Sequence, residues 1–218
     1  MDVDRISVII PVRSNYYWLD LCLRGINLCS TYKNYEVVLV DNDSDVCTKE
    51  YLSRLAGDIK VVSLDQNCFW SKSANIGIAN ASEDSEFFLL MHQDTISLAQ
   101  NWMEIMLHDF NDPAAAISGA LVEEIYFGEN NVQYPSESCF LTRRKVFEEY
   151  GPFDEEFKLV GPSFAYSTAC LKGGQKVFVH HEERLIHHYN VLEPFREVQV
   201  ARKEDFEVLL NKARQLSV

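Results

Sequence analysis

The chain has 218 residues, 47% of them hydrophobic, with 33 acidic against 20 basic side chains and a formal net charge of −13. A surface of that sign repels nucleic acid and anionic lipid, so neither is an expected partner, and an anionic ligand would need a cation to hold it. No apolar run approaches the ~20 residues that cross a bilayer, and the length suits one compact domain.

Met1-Asp2-Val3-Asp4-Arg5 is acidic and runs straight into an apolar stretch. It shows no secretory leader, and a cytoplasmic location is the expectation. Ile6 to Val12 is a strand, with Pro11 near its end where a missing N–H is tolerated. Tyr17 to Leu28 has the broad apolar face of a helix. Glu36 to Val40 is a second buried strand, closed by Asp41-Asn42-Asp43-Ser44-Asp45. A helix over Thr48 to Leu55 and a strand over Lys60 to Leu64 follow. Next come a helix over Ser71 to Asn80, a strand over Phe87 to Met91 and a helix over about Ala99 to Phe110. Strands alternating with helices at this spacing predict βαβ units and a parallel sheet.

The alternation weakens after about residue 110. Ala114 to Leu121 and Ser138 to Leu141 read as strands. Arg143 to Tyr150 reads as a solvated helix opened by the basic cluster Arg143-Arg144-Lys145 and stopped by Gly151-Pro152. Ser163 to Leu171 is a helix ended by Gly173-Gly174, Lys176 to Val179 a strand, and Pro194 to Leu216 a polar, helix-favouring tail. The six cysteines (22, 29, 47, 68, 139 and 170) contain no C-x-x-C pair and read as reduced, mostly buried thiols.

The strand ends collect polar groups. Pro11-Val12-Arg13-Ser14-Asn15 follows the first strand, Asp41-Asn42-Asp43-Ser44 the second, Asn67 the third and His92-Gln93-Asp94 the fourth. In an open parallel sheet these loops share the edge where ligands bind. Phe87 to Met91 delivers Asp94 to that edge, where a carboxylate can hold a hard cation; the alternative is that Asp94 caps the helix that follows. A carboxylate after the second strand can accept from a ribose or a base. Neither G-x-x-x-x-G-K-[ST] nor G-x-G-x-x-G is present, and no glycine- and basic-rich loop follows the first strand, which disfavours dehydrogenases and nucleotidyltransferases and leaves a metal-mediated grip on phosphate. His180 and His181 read as structural or solvated.

Several stretches together resemble family 2 glycosyltransferases of the GT-A fold. They are Ser7-Val8-Ile9-Ile10-Pro11-Val12, Val38-Leu39-Val40-Asp41-Asn42-Asp43-Ser44, the segment from Asn67 to Ala81, and Phe88-Leu89-Leu90-Met91-His92-Gln93-Asp94-Thr95. Ser138-Cys139-Phe140-Leu141-Thr142-Arg143-Arg144, the segment from Gly151 to Phe157, and Leu185-Ile186-His187-His188 continue the series in order. The resemblance covers about residues 6 to 190. It implies a single α/β GT-A domain with a mostly parallel central sheet flanked by helices. A nucleotide-binding half would span about 1–112, an acceptor-side half about 113–195 and a C-terminal helix about 196–218.

It further implies transfer of a sugar from a nucleotide-diphosphate donor to a glycan or other hydroxyl acceptor. Pro11, Val12, Asp41 and Asn75 would line the nucleotide pocket. Asp94 and His187 would serve a divalent metal, Mn²⁺ or Mg²⁺. The chain departs from the family twice. His92 stands where the first acid of Asp-x-Asp belongs, and would contact the ribose or diphosphate instead. Gly161-Pro162-Ser163-Phe164-Ala165 replaces Gly-Glu-Asp-x-Asp, so the acid that deprotonates the acceptor is missing. Asp154, Glu155, Glu156, Glu182 and Glu183 are the nearby acids that could substitute, and Glu123, Glu124, Tyr126 and Phe127 are placed on the acceptor side. A non-catalytic module binding a nucleotide-sugar or glycan is the competing expectation.

Overall fold

The computed structural model describes residues 4–98, 100–127, 130–180, 185–187 and 196–216. The strands are β1 (Arg5–Val12), β2 (Tyr35–Asn42), β3 (Ile59–Leu64), β4 (Ser85–Met91), β5 (Thr95–Ser97), β6 (Ala115–Gly119), β7 (Val122–Phe127), β8 (Asn130–Pro135), β9 (Cys139–Arg143), β10 (Lys176–Val179) and β11 (Leu185–His187). The helices are α1 (Tyr16–Cys29), α2 (Val46–Leu52), α3 (Phe69–Ala79), α4 (Trp102–Asp109), α5 (Arg144–Tyr150), α6 (Pro162–Lys172) and α7 (Arg196–Leu216).

Seven strands form the central sheet in the order β10-β6-β9-β4-β1-β2-β3. All neighbours are parallel except β9, which runs antiparallel to both β4 and β6. The predicted mostly parallel α/β architecture is therefore the one observed. β1 pairs with β4 over Arg5 to Ile9 and with β2 as far as Val12, so Pro11 lies past the β4 ladder.

The period-2 alternation of side chains assigns each strand residue to one of two layers. Ile6, Val8, Ile10 and Val12 of β1, Phe87, Leu89 and Met91 of β4, and Cys139 and Leu141 of β9 face one cluster with Leu19, Ile26, Trp102 and Met106. Ile9, Phe88, Leu90 and Phe140 face the other, with Trp70, Ala74, Phe153 and Tyr166. Each such side chain contributes about 1.5–3 kcal/mol by leaving water. Two covered faces explain why the strands read as continuous apolar runs.

α3 approaches β1 so closely that a Cβ on Gly77 would stand 2.4 Å from Ile9 Cγ2. Gly77→Ala should therefore cost about 1–3 kcal/mol through overpacking, read as a lowered urea midpoint; an unchanged midpoint would count against this helix–strand fit.

Four expectations need correction. Between β4 and the next helix the chain forms β5, which pairs antiparallel with β11, and α4 starts only at Trp102. Asp94 therefore does not cap that helix. β7 and β8 form a hairpin that the sequence pattern did not announce. Arg143 and Arg144 are only partly solvated, although Lys145 is exposed. The Arg143 guanidinium lies over the rings of Phe110 and Phe87, 5.2 and 5.7 Å from their centroids, and donates to the Phe110 carbonyl. Arg144 donates to the Ser85 and Ser82 carbonyls, both at 2.6 Å, and covers Phe88. The cysteines are free, but only Cys22, Cys139 and Cys170 are buried. His180 is structural, its ring 2.6 Å from Asp109 Oδ2. Among the described residues no helix is long and apolar enough to cross a membrane.

Candidate functional site

The parallel register brings the predicted residues to one edge of the sheet. Pro11 pairs with Val40 and Val12 with Asp41, so the ends of β1 and β2 lie side by side. Asp41 is buried, and its Oδ1 accepts from the Ser44 N–H at 2.9 Å, closing the turn after β2. Ser44 Oγ accepts from the Ser14 N–H at 2.9 Å, and Ser14 Oγ accepts from the Asp45 N–H at 3.0 Å. These reciprocal bonds lock the first two loops together.

Gln93, buried between them, holds the end of β4 in the same frame. Its Oε1 accepts from the Arg13 N–H at 2.6 Å and its Nε2 donates to the Ser14 carbonyl at 2.8 Å. Asn42 anchors the third loop, after β3, accepting from the Cys68 N–H at 2.6 Å and donating to the Phe69 carbonyl at 3.2 Å. Ser14, Asn15, Asp43 and Phe69 all hold positive φ, between 56° and 60°. Non-glycine residues in that region cost on the order of 1 kcal/mol or more each and gather where surrounding structure over-determines a functional loop.

Asp94 follows Gln93 directly and is 8% exposed, with its carboxylate close enough to Cys22 to reinforce the upward push that burial gives that thiol. His92 packs edge-on against Trp70 with 6.2 Å between ring centroids. Its N–H donates to the Ser138 carbonyl at 3.1 Å, and the Thr95 hydroxyl donates to the same oxygen at 3.0 Å. His92 and Thr95 are thus both fastened to Ser138, which fixes the loop that carries Asp94. β11 pairs the backbone of His187 with that of Thr95, so the fold carries His187 to the residue next to Asp94. His188, Glu182 and Glu183 lie outside the described residues.

Asn75 has a different surrounding. Its Oδ1 accepts from the Phe153 N–H and its Nδ2 donates to the Phe153 carbonyl, each at 2.9 Å, with Glu155 Oε1 at 3.1 Å. It fastens the 153–157 segment to α3. The other acids of that segment are also engaged. Asp154 and Glu156 both pair with Lys212, the latter at 2.8 Å. Burial acts upward on Asp154, but Lys212 and the Glu156 N–H outweigh it and hold the carboxyl below its usual range, which makes it a poor proton acceptor.

The residue that sequence reasoning missed is Glu137. It is 5% exposed, and its Oε1 accepts from the N–H groups of Gly161 at 2.9 Å and Ser163 at 3.2 Å, at the start of α6. Tyr134, Phe157, Phe164 and Leu209 form an apolar cluster at this corner. Burial, reinforced by the charge of Glu123, raises the Glu137 carboxyl to about 7 against the bonds that lower it. Because β9 runs antiparallel to β4, pairing Cys139 with Met91, the residue before Ser138 lands at the same sheet edge as Asp94. The direction of β9 was the missing signal.

Among the described residues no group of three or more His, Cys, Asp or Glu side chains could enclose a metal. One rim carboxylate is the donor set that Mg²⁺-like ions use when substrate phosphates and water complete the shell. Asp94 fits that pattern, and an all-protein cage does not.

A family model described as glycosyl transferase family 2 matches residues 7–176. The O-antigen biosynthesis protein RfbC of Myxococcus xanthus is 21% identical over 84% of this chain and 17% of its own length. A Sinorhizobium fredii protein, y4gI, is 27% identical over 77% of this chain and 22% of its own length. The chain therefore spans about a fifth of these relatives. The mannosyltransferase PcManGT of Pyrobaculum calidifontis, solved with GDP-Man and Mn²⁺, superposes with a TM-score of 0.65 at 17% identity, over 82% of this chain and 55% of its own. GalNAc-T7, solved with UDP, GalNAc and Mn²⁺, gives 0.71 at 15% identity, over 85% and 44%. At these identities the superpositions speak to fold alone.

Proposed function

Since the chain belongs to glycosyl transferase family 2 and has the GT-A fold, we propose that it transfers a sugar from a nucleoside-diphosphate donor to a hydroxyl acceptor, with Mn²⁺ or Mg²⁺ at the diphosphate. The observation that carries this is the convergence of Val12, Asp41 and Asp94 on one strand-end rim held by Gln93. Pro11, Val12 and Asp41 line the nucleoside side and His92 the ribose or diphosphate. Asp94 holds the metal, with His187, whose backbone pairs with Thr95, as its second ligand. Asn75 acts behind them by fixing the 153–157 segment. The 1–112 half then carries the donor and the 113–195 half the acceptor, in the cytoplasm.

The bound cation would offset the charge that develops on the departing diphosphate. That service matters more in a protein of net charge −13, which otherwise repels the leaving group and the donor alike. The protein's own part is positional: the locked loops after β1, β2 and β4 hold donor-binding groups in place before the donor arrives, which reduces the ordering cost of binding.

A thermal-shift panel of UDP-, GDP- and dTDP-linked hexoses with Mn²⁺ tests the reading. A ligand at a hundred-fold excess over Kd stabilises by about 2.7 kcal/mol, a Tm rise of about 5–10 °C for a domain of this size. One donor class should give that rise and lose it on adding EDTA. No rise with any of them would refute the proposal. A metal-dependent rise with no nucleotide release would favour the non-catalytic module, the reading to which Pro162 and Ala165 lend support.

A further inference from the structure

We infer that Glu137 is the general base that takes the acceptor's proton, in the place where Pro162, Ser163 and Ala165 offer none; this rests on the glycosyl-transfer reading above. Position comes first. Glu137 precedes Ser138, whose carbonyl accepts from both His92 N–H and Thr95 Oγ1. The backbone next to Glu137 is therefore hydrogen-bonded to the 92–95 loop that carries Asp94. Its Oε1 is held by the Gly161 and Ser163 N–H groups, at the beginning of the segment that departs from the family pattern. A carboxylate from the β8–β9 turn thus occupies the start of α6.

The surroundings fit the task. Phe157 and Leu209 crowd Gly161, where an added Cβ would meet Phe157 Cε1 at 2.8 Å and Leu209 Cδ1 at 3.3 Å, so apolar groups wall the corner. Glu123 of β7 is the charged group that bears on Glu137, and it is bonded to Ser136 Oγ at 3.1 Å. From α6 and its cap, the Gly161 and Ser163 N–H groups face the carboxylate. The resulting carboxyl near 7 is that of a base matched to neutral pH. The competing acids Asp154, Glu155 and Glu156 are bound to Lys212 and Asn75.

In the step, the acceptor hydroxyl gives its proton to the Glu137 carboxylate as its oxygen bonds to the anomeric carbon. The bond from that carbon to the diphosphate oxygen breaks, and the electron pair leaves with the nucleoside diphosphate. The proton is later returned to solvent.

The test uses the whole protein, Mn²⁺ and whichever hexose donor gives the largest thermal shift, with nucleoside diphosphate release as the assay and water or a simple glycoside as acceptor. Glu137→Gln keeps an oxygen to accept from Gly161 and Ser163. It should lower kcat by about 10²–10⁴-fold while leaving the Kd for the nucleoside diphosphate with Mn²⁺ within about two-fold. The wild-type rate should climb through a midpoint near pH 7, and that rising limb should vanish in the variant. Glu137→Asp, which restores a carboxylate, should recover part of the rate.

A second readout is independent of turnover. With the folded carboxyl raised from 4.5 to about 7, the native state keeps a proton that the unfolded chain releases. Stability should therefore fall as pH rises between those values, and Glu137→Gln should flatten that slope. A wild-type protein that turns over and a Glu137→Gln variant with the same rate and pH profile would overturn the Glu137 role alone. A wild-type protein that binds the donor but releases no nucleotide would overturn both it and the transferase reading.

Discussion

Replacing Asp94 with alanine is expected to weaken Mn²⁺-dependent binding of a nucleoside diphosphate by at least about 100-fold, equivalent to about 2.7 kcal/mol. The magnitude follows from the donor set. Among the described residues no three-ligand cage exists, so a single carboxylate carries much of the protein's share of the metal. Loss of groups that merely orient a ligand already costs 10–100-fold in metal affinity. The net charge of −13 adds long-range repulsion of the diphosphate that the cation no longer offsets. Calorimetry with and without Mn²⁺ reads the effect, and the diagnostic is the difference between the two titrations. In wild type the metal should strengthen binding; in Asp94→Ala the residual affinity should be indifferent to it. A variant that still responds to Mn²⁺ as wild type does would remove Asp94 from the metal assignment. Asp94 lies in the loop between β4 and β5, and an unchanged urea midpoint for the variant would show that the fold survives.

The parts of this rim that could be read from sequence are those specified by local pattern. β1, β2 and β4 are buried on both faces, so their apolar runs announce both the strand and its end, and with it Asp41 and Asp94. The parts that could not be read depend on which distant segment lies alongside. β5 and β11 are three residues each, too short to carry a period, and exist because they pair with one another. Arg143 and Arg144 look like solvated charge until Phe87, Phe88 and Phe110 are found beneath their guanidinium planes. Asn75 has the residue type of a ligand contact, yet both ends of its amide serve Phe153. Glu137 is the most instructive case. Ser136-Glu137-Ser138 resembles an ordinary polar turn, and only the antiparallel direction of β9 brings it to the edge that the parallel strands define. A family pattern read along the chain finds no acid at positions 162–165, whereas the fold brings a carboxylate to Gly161 from 24 positions upstream.

The second large effect is expected on the C-terminal helix, which grips the chain one residue along from that carboxylate's anchor. Asp205 of α7 is fully buried, and its two oxygens accept from three consecutive backbone N–H groups: Lys158 at 2.6 Å, Leu159 at 2.6 Å and Val160 at 2.8 Å. Ala201 and Leu209, one turn to either side, bury the same face of the helix. Asp205→Ala removes every one of those acceptors while the donors stay packed. Each orphaned buried N–H costs about 1–3 kcal/mol, and since the loop can relax toward solvent the total should fall near 3–5 kcal/mol. The exposed pair Lys158–Glu204 on the same helix, at 2.5 Å, should by contrast contribute no more than about 1 kcal/mol. Urea unfolding distinguishes two ways of losing Asp205. A lower midpoint at constant slope means the whole domain is destabilised, while a shallower slope means α7 has come away first. Either outcome reaches the site. The Lys158 carbonyl accepts from the Trp70 N–H at 2.7 Å, Trp70 packs on His92, and the same loop leads to the Gly161 N–H that holds Glu137. Asp205→Ala should therefore also lower turnover at temperatures where the domain stays folded. Stability within about 1 kcal/mol of wild type would show that α7 is not what holds the 158–160 loop.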